Sequence, residues 1–389
     1  MTFALPEGSG VLPDSWLQKA VDAGVIRAEA GIEEACFQPA SLDLRLGDVA
    51  HRLRCSFLPD DRKVEEKLRD FEMEALSLTD GAILERNRPY LIPLLEQVRL
   101  PKRLRARANP KSSTGRLDIF TRVISDCSYR FDEIPPGYEG PLYLEVVSRS
   151  FTVKVRRGLS LNQLRLITAD THRIPDGDLR DLHDGSPLLF FKNRPLGKQQ
   201  LAVSNGLFMS LDLTGDAQGV VGYRARRNSR LVDLGQVNHY DPIEFWDPVI
   251  REAGDRVVLE PEEFYLLLSA EAVSIPPRFA SEMTAYDPTS GELRTHYAGF
   301  FDPGFGHDES HAGLRGSRAT LEVRAHDVPF MVENRQRICK LVFEPMFDAP
   351  HRLYGQDLAS NYQGQTVTLS KHFRADRPFR KGQPRLPFG

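Results

Sequence analysis

The sequence predicts a mainly β protein that consists of two related units and a few short helices. Most periodic segments alternate between apolar and polar residues, which is the pattern of a strand with one buried face. Turns that contain proline and glycine separate these segments. At 389 residues the chain is longer than one hydrophobic core usually organises, so two domains are expected.

The composition is that of an ordinary globular protein, with 41% hydrophobic and 27% charged residues. A net charge of -3 gives no bulk attraction to nucleic acid or to an anionic membrane surface. No apolar run approaches the roughly 18 residues that a membrane span needs, and the first residues lack the order of a signal peptide. We therefore expect a cytoplasmic protein without nucleic-acid or membrane partners.

Two helices are predicted in the first 80 residues, and strands follow them. Asp14 can cap a helix over 15–23 that ends at Gly24, and a second helical pattern covers about 62–76. Alternation predicts strands within 99–109, 142–147, 151–157, 319–325 and 329–334.

An internal repeat is the main evidence for two units. Residues 89–103 align without a gap to 264–278 at an offset of 175, and 144–166 align to 321–343 at an offset of 177. Alternation alone makes strands resemble one another, but the Tyr-Leu, Pro-x-Arg and Leu-Glu-Val anchors recur in the same order. The aligned strands carry Glu145 and Glu322. The junction is expected in the polar stretch that ends near Pro195, which gives predicted domains of 1–195 and 196–389.

The first candidate site follows a predicted strand, at residues 109–118. Its ammonium, hydroxyl and guanidinium donors suit a polyphosphate, and they belong to Lys111, Ser112, Ser113 and Arg116. The segment is not a P-loop, because the glycines of that motif are missing. Taken alone, a serine-rich turn after a basic strand is more often structural.

The second candidate cluster is 295–306. Ala298 lies beside a glycine that permits close backbone approach, and Asp302 adds an acceptor before a Pro-Gly turn. Downstream, Glu322 shares a strand face with Thr320, while Ala319, Leu321 and Val323 take the other face. A glutamate that faces a pocket can serve as a general base, although most strand glutamates face solvent.

A polar tail at 351–373 surrounds Tyr354 and Gln365, which is typical of a closing lid or of a disordered terminus. In order, these clusters resemble the motifs of the deoxycytidine triphosphate deaminases, relatives of the trimeric deoxyuridine triphosphatases (dUTPases). The similar segments are 37–47, 111–116, 295–306, 319–323 and 354–365.

This resemblance implies two tandem dUTPase-like units, each a distorted β-barrel or jelly roll, in a homo-oligomer. It implies hydrolytic deamination of dCTP to dUTP in pyrimidine deoxynucleotide synthesis, with dTTP as a candidate feedback inhibitor. Glu322 would activate water against C4 of cytosine, with the Ala298 main chain and a serine hydroxyl positioning that water. The phosphates would contact Lys111, Ser112, Ser113 and Arg116, and Mg²⁺ would arrive bound to the triphosphate. Asp302 would bind the deoxyribose hydroxyl, and Tyr354 and Gln365 would bind the triphosphate.

Each half keeps only part of the family's motif set. The first half has Pro135 where the family has aspartate, and the second has Glu292 where the first has Arg116. We therefore expect one composite site, built from 111–116 of one half and 295–365 of the other, within or between chains. Glu145 remains the alternative base.

Zinc-dependent deaminases combine H-x-E with P-C-x-x-C. Residues 307–309 fit the first motif, but the sequence contains no C-x-x-C, so no zinc and no protein-held metal are expected. Two other functions stay open: dUTP diphosphatase action, alone or after deamination, and nucleotide sensing without catalysis.

Overall fold

The computed structural model describes residues 3–285, 293–295, 299–307, 316–325, 327–355 and 369–375. This part of the chain is mainly β, as predicted. Its α-helices are α1 (Asp14–Asp22), α2 (Val64–Phe71), α3 (Ser112–Gly115) and α4 (Asp176–Gly185), and short 3-10 helices cover Glu34–Cys36, Lys198–Gln200 and Pro242–Glu244. Every helix among these residues is too short or too polar to cross a lipid bilayer.

The strands of the first half are β1 (Ile26–Arg27), β2 (Leu42–Arg45), β3 (Val49–Leu53), β4 (Glu72–Ser77), β5 (Ala82–Leu84), β6 (Tyr90–Arg99), β7 (Leu104–Pro110), β8 (Ile119–Ser125), β9 (Glu133–Ile134), β10 (Glu139–Ser148), β11 (Val153–Val155) and β12 (Ser160–Thr168). Its two larger sheets have the strand orders β4-β3-β6-β10-β8 and β2-β12-β7-β9.

The strands of the second half are β13 (Leu189–Phe191), β14 (Arg194–Pro195), β15 (Leu207–Ser210), β16 (Val220–Ala225), β17 (Val232–Asp233), β18 (Trp246–Ile250), β19 (Arg256–Leu259), β20 (Phe264–Val273), β21 (Phe279–Ala285), β22 (Leu293–Thr295), β23 (Phe300–Phe301), β24 (Ser317–Ala325), β25 (Phe330–Glu333) and β26 (Arg337–Pro345). The larger sheets have the orders β14-β13-β20-β16-β18, with β24 also on β20, and β15-β26-β21-β23.

Strand pairing repeats between the halves. Strand β10 lies between β6 and β8, and β24 likewise pairs with β20 and β22. Glu145 lies opposite Leu91, and Glu322 lies opposite Leu266, so the aligned residues occupy equivalent registers. The pairs β12–β7 and β26–β21 are also equivalent.

The halves meet along equivalent strands. Arg107 of β7 donates to Glu282 of β21 at 2.7 Å, and Asn109 donates to the same carboxylate at 3.2 Å. These arginine and glutamate positions are 175 residues apart, which is the offset of the repeat. Because both groups are largely buried, this contact fixes how the two halves face each other.

The expectation of two separate jelly-roll units needs correction, because one small sheet and the larger hydrophobic core include residues of both halves. Strand β17 of the second half pairs in parallel with β11 of the first. The larger hydrophobic core, formed mainly by the first half, also contains Trp246, Phe264 and Phe373. Apolar side chains from the second half thus complete the core of the first.

Three local features differ from the sequence predictions. Helix α1 begins at Asp14 with Pro13 as its N-cap, and the Asp14 carboxylate instead accepts from the His351 amide. Helix α2 ends at Phe71, because the following residues pair with β3 as strand β4. The second core includes Leu179 and Leu188, which precede the predicted boundary at 195.

Candidate active site

The candidate phosphate-binding motif at 111–116, called the phosphate-type motif below, forms a single helical turn after β7. Pairing with β12 holds β7 in place up to Pro110, and α3 then covers Ser112–Gly115. The Lys111 ammonium pairs with the Asp43 carboxylate of β2. Ser113 is buried, whereas Ser112 is partly exposed. The motif therefore presents its polar groups from a fixed turn.

Glu322 lies directly against this turn. Its neighbours Ala319, Leu321 and Val323 are buried in the second core, as the alternation predicts, and Glu322 points to the opposite face. A methyl group added at Gly115 would come within 2.6 Å of Glu322 Oε1 and 2.8 Å of its carboxyl carbon. Glycine is therefore the residue that leaves room for this carboxylate. The two predicted clusters thus meet within one chain.

The environment of Glu322 favours its protonated form. Burial raises the pKa of Glu322 well above its usual value, the Arg116 guanidinium opposes the rise, and the Asp118 carboxylate adds to it. A raised pKa makes a carboxylate a stronger base than an ordinary glutamate. This behaviour distinguishes it from a surface glutamate.

A buried ion pair joins the halves beside Glu322. Arg324, two residues further along β24, pairs with the Asp118 carboxylate. Ser150 Oγ donates to the same Asp118 oxygen at 2.5 Å. All three side chains are buried.

Asp302 is held by an arginine of the first half. Arg165 of β12 donates from Nη2 to Asp302 Oδ1 at 2.8 Å and from Nη1 to the Ser281 carbonyl at 2.9 Å. The arginine is fully buried, and its guanidinium also stacks 3.9 Å from the ring centre of Phe300. The position of Asp302 therefore depends on both repeats.

The described parts of the tail contact the same region. The Tyr354 amide donates to the Pro303 carbonyl at 2.9 Å, next to Asp302. Arg116 Nη1 donates to the Leu369 carbonyl at 3.3 Å, and Ser370 Oγ donates to the Ser113 carbonyl at 2.8 Å. The predicted contacts Ala298 and Gln365 lie outside the described residues.

A cavity of about 190 Å³ lies beside the motif. Lys111 and Lys371 line it together with Asp43, Ser113 and His372. Burial lowers the pKa of Lys371, and the nearby Lys111 lowers it further. Two ammonium groups in one cavity favour an anionic ligand there.

Glu145 occupies a different environment in the first half. Arg122 Nε donates to Glu145 Oε1 at 3.0 Å, and the same guanidinium lies 3.7 Å from the ring centre of Phe131. When Pro135 is matched to Asp302, Phe131 stands where the second half has Ala298. A bulky ring and an arginine thus fill the space beside this glutamate.

The structure brings together Lys111, Ser112, Ser113, Arg116 and Glu322, with Asp302 and Tyr354 adjoining one another at the Pro303 turn. The sequence prediction missed the supporting residues Asp43, Asp118, Arg165, Arg324 and Lys371. Arg324 was recognisable as a residue on the same strand face as Glu322, two positions away. The contacts of the others depend on long-range packing.

The comparisons with known proteins agree with the resemblance that the sequence motifs indicate. Residues 8–170 match the model of the 2'-deoxycytidine 5'-triphosphate deaminase N-terminal domain, and 176–373 match that of the C-terminal domain. A crystal structure of 2'-deoxycytidine 5'-triphosphate deaminase from Agrobacterium tumefaciens is 43% identical. The match covers 87% of this chain and 100% of the Agrobacterium chain, with a TM-score of 0.81.

Curated relatives are more distant. The dUMP-forming dCTP deaminase of Halobacterium salinarum is 30% identical over 140 residues, which cover 35% of this chain and 66% of that protein. The dUMP-forming dCTP deaminase of Methanobrevibacter smithii is 30% identical over 141 residues, which cover 35% of this chain and 68% of that protein. The chain therefore spans about two thirds of the length of these relatives.

Proposed function

This chain belongs to the 2'-deoxycytidine 5'-triphosphate deaminase family, and we propose that it hydrolyses dCTP to dUTP and ammonia. The observation that carries the proposal is the contact between Gly115 of the phosphate-type motif and the Glu322 carboxylate. It supports a composite site within one chain, with the first repeat binding phosphates and the second supplying the base.

In the proposed reaction, Glu322 takes a proton from water while the water oxygen bonds to C4 of cytosine. As the water oxygen adds, the C4=N3 π electrons move to N3. The same carboxyl then returns the proton to the exocyclic amine, the C4–N bond breaks, and ammonia leaves. The remaining hydroxyl proton passes to N3, which completes the uracil ring. The raised pKa of Glu322 suits the first step, because it makes this carboxylate a stronger base than an ordinary glutamate. Water positioning by the Ala298 main chain and a serine hydroxyl remains a prediction.

Phosphate binding is assigned to the α3 turn. Lys111, Ser112, Ser113 and Arg116 supply the donors, and Lys371 adds a second ammonium in the cavity beside Lys111. Mg²⁺ would enter as part of the substrate complex, because this ion binds mainly through substrate phosphates and water and needs few protein ligands. Asp302, Tyr354 and Gln365 keep their predicted substrate contacts. No zinc is required.

We assign Glu322 rather than Glu145 as the base. Arg122 occupies Glu145 Oε1 through an ion pair, so this oxygen already has a partner and is not available to a water molecule. The Phe131 ring also occupies the place where the cytosine ring of the substrate would need to approach. The first repeat is thus specialised for binding phosphates.

The remaining expectations belong to the same proposal. The chain would comprise two dUTPase-like repeats, the second starting near residue 176, where α4 joins the second core. Assembly into a homo-oligomer, a cytoplasmic location and feedback inhibition by dTTP remain predictions.

Ammonia release from dCTP and Mg²⁺ tests the proposal, with Glu322→Gln and Glu145→Gln assayed in parallel. Glu322→Gln is expected to abolish turnover, whereas folded Glu145→Gln keeps measurable turnover. Loss of activity in Glu145→Gln alone would invert the assignment, and no ammonia from the folded wild type would reject deamination.

A second candidate is a bifunctional enzyme that continues from dUTP to dUMP. It is favoured by the names of the two curated relatives, which are dUMP-forming. Chromatography of the products separates the candidates, since pyrophosphate and dUMP appear only if the diphosphatase step occurs.

A further inference from the structure

The two repeats place an arginine beside each strand glutamate, but the arginines have different partners. In the first repeat, Arg122 lies opposite Glu145 on the neighbouring strand and pairs with it. In the second repeat, Arg324 lies two residues after Glu322 on the same face of β24. Arg324 pairs with Asp118 instead, although Glu322 is its neighbour on the strand.

Asp118 is built to hold Arg324. Its side chain is fully buried, and Ser150 Oγ donates to the same oxygen that the guanidinium contacts. Its φ of 57° places it in the left-handed region, which directs the chain out of the α3 turn. The other end of the Arg324 guanidinium donates to the Glu262 carbonyl. Both ends of this guanidinium are therefore occupied.

We propose that Asp118 is a positioning residue that holds Arg324 away from Glu322 and so keeps that carboxylate available as a base. This inference rests on the proposed role of Glu322. The charged groups facing Glu322 in the described part of the chain are Arg116 and Asp118 after α3 and Arg324 on β24. Leu266, opposite Glu322 on β20, carries no charge.

Opposite pH shifts follow from removing either partner. In Asp118→Asn the guanidinium loses its anionic partner and can turn to Glu322, as Arg122 turns to Glu145. The pKa of Glu322 then falls for two reasons: the repulsion from Asp118 is lost, and an adjacent cation stabilises the carboxylate. In Arg324→Met the Asp118 carboxylate loses its counter-charge, so its repulsion raises the pKa of Glu322.

The pH dependence of kcat/KM for ammonia release reports the pKa of the free enzyme's base. We expect the acid limb to move down by about one pH unit in Asp118→Asn and up in Arg324→Met. Asp212→Asn is the matched control, since Asp212 pairs at 2.6 Å with Arg318, which lies on the same strand four residues before Glu322. It should leave the limb in place. Because Asp118 also acts on Glu322 directly, the downward shift must be smaller when Asp118→Asn is made in the Arg324→Met background, where no guanidinium can turn to Glu322. An equal shift in both backgrounds, unmoved limbs, or single-variant shifts in the same direction overturn the proposal. An unmoved limb in Arg324→Met overturns it if Asp118→Asn does not fold.

A measurement without catalysis separates this inference from the proposed function. The difference in unfolding free energy between the wild type and Glu322→Gln, followed across pH, gives the pKa of Glu322 in the folded chain. Repeating the pair in the Asp118→Asn and Arg324→Met backgrounds should reproduce the two opposite shifts. Shifts without deaminase activity would refute only the proposed reaction, whereas activity without shifts would refute the role of Asp118.

Discussion

Replacing Gly115 with alanine perturbs the proposed base without touching its chemistry. The added methyl group would lie 2.6 Å from Glu322 Oε1, and ordinary contact begins at 3.4 Å. The φ of Gly115 is not in the left-handed region, so alanine adds no backbone strain. The flexible Glu322 carboxylate must therefore retreat, by about 1 Å if the α3 backbone stays in place.

A displacement of this size is expected to affect rate far more than stability. A misplacement of about 1 Å costs on the order of 10²-fold in rate, which corresponds to about 2.7 kcal/mol in activation free energy. Overpacking costs about 1–3 kcal/mol of stability, and the better helix propensity of alanine offsets about 1 kcal/mol of it. We therefore expect kcat to fall about 100-fold while the free energy of unfolding changes by less than about 2 kcal/mol.

The assay is ammonia release from dCTP, with kcat and KM determined separately and unfolding followed in urea. Gly177→Ala is the matched control, because Gly177 is also helical and nothing lies within 4 Å of its added methyl group. The control should keep its kcat. A Gly115→Ala enzyme that retains kcat within twofold would refute the reasoning that Glu322 must stay against the α3 turn.

Two further predictions concern stability. Because the pKa of Glu322 is raised in the folded chain, its stabilising contribution is complete below about pH 4.5 and is lost as the pH rises through the folded value. In urea unfolding, Glu322→Gln should therefore become more stable relative to the wild type as the pH increases. Glu145→Gln should instead lose about 2–3 kcal/mol in free energy of unfolding, because Arg122 loses its carboxylate partner. Equal changes in stability for the two variants would contradict this difference. Burial, together with Lys371, lowers the pKa of His372 to about 4, so the stability it contributes is present above pH 6.5 and is lost as the pH falls towards 4. Between pH 7 and pH 4.5, the free energy of unfolding measured in urea should fall further for the wild type than for His372→Gln, by up to about 3 kcal/mol. Parallel falls in the two proteins would argue against this role of His372.

Much of the strand pattern could be predicted from the sequence, because alternation and register are local properties. The offsets of 175 and 177 residues matched Leu91 to Leu266 and Glu145 to Glu322. In the structure Glu145 lies opposite Leu91 and Glu322 lies opposite Leu266, so the matched residues form equivalent strand pairs. Helix ends were less predictable. Residues 72–76 continue a helical pattern but pair with β3, because a long-range strand contact outweighs local propensity.

The sequence by itself determined which residue types were available to the site: the cationic and hydroxyl turn, two strand glutamates and a polar tail. Only the tertiary structure decided that the turn of the first half and Glu322 of the second meet within one chain, and that Arg122 pairs with Glu145 while Asp118 takes Arg324. The physical reason is that pairing between charges depends on distance and burial, and these are set by how strands far apart in the sequence pack together.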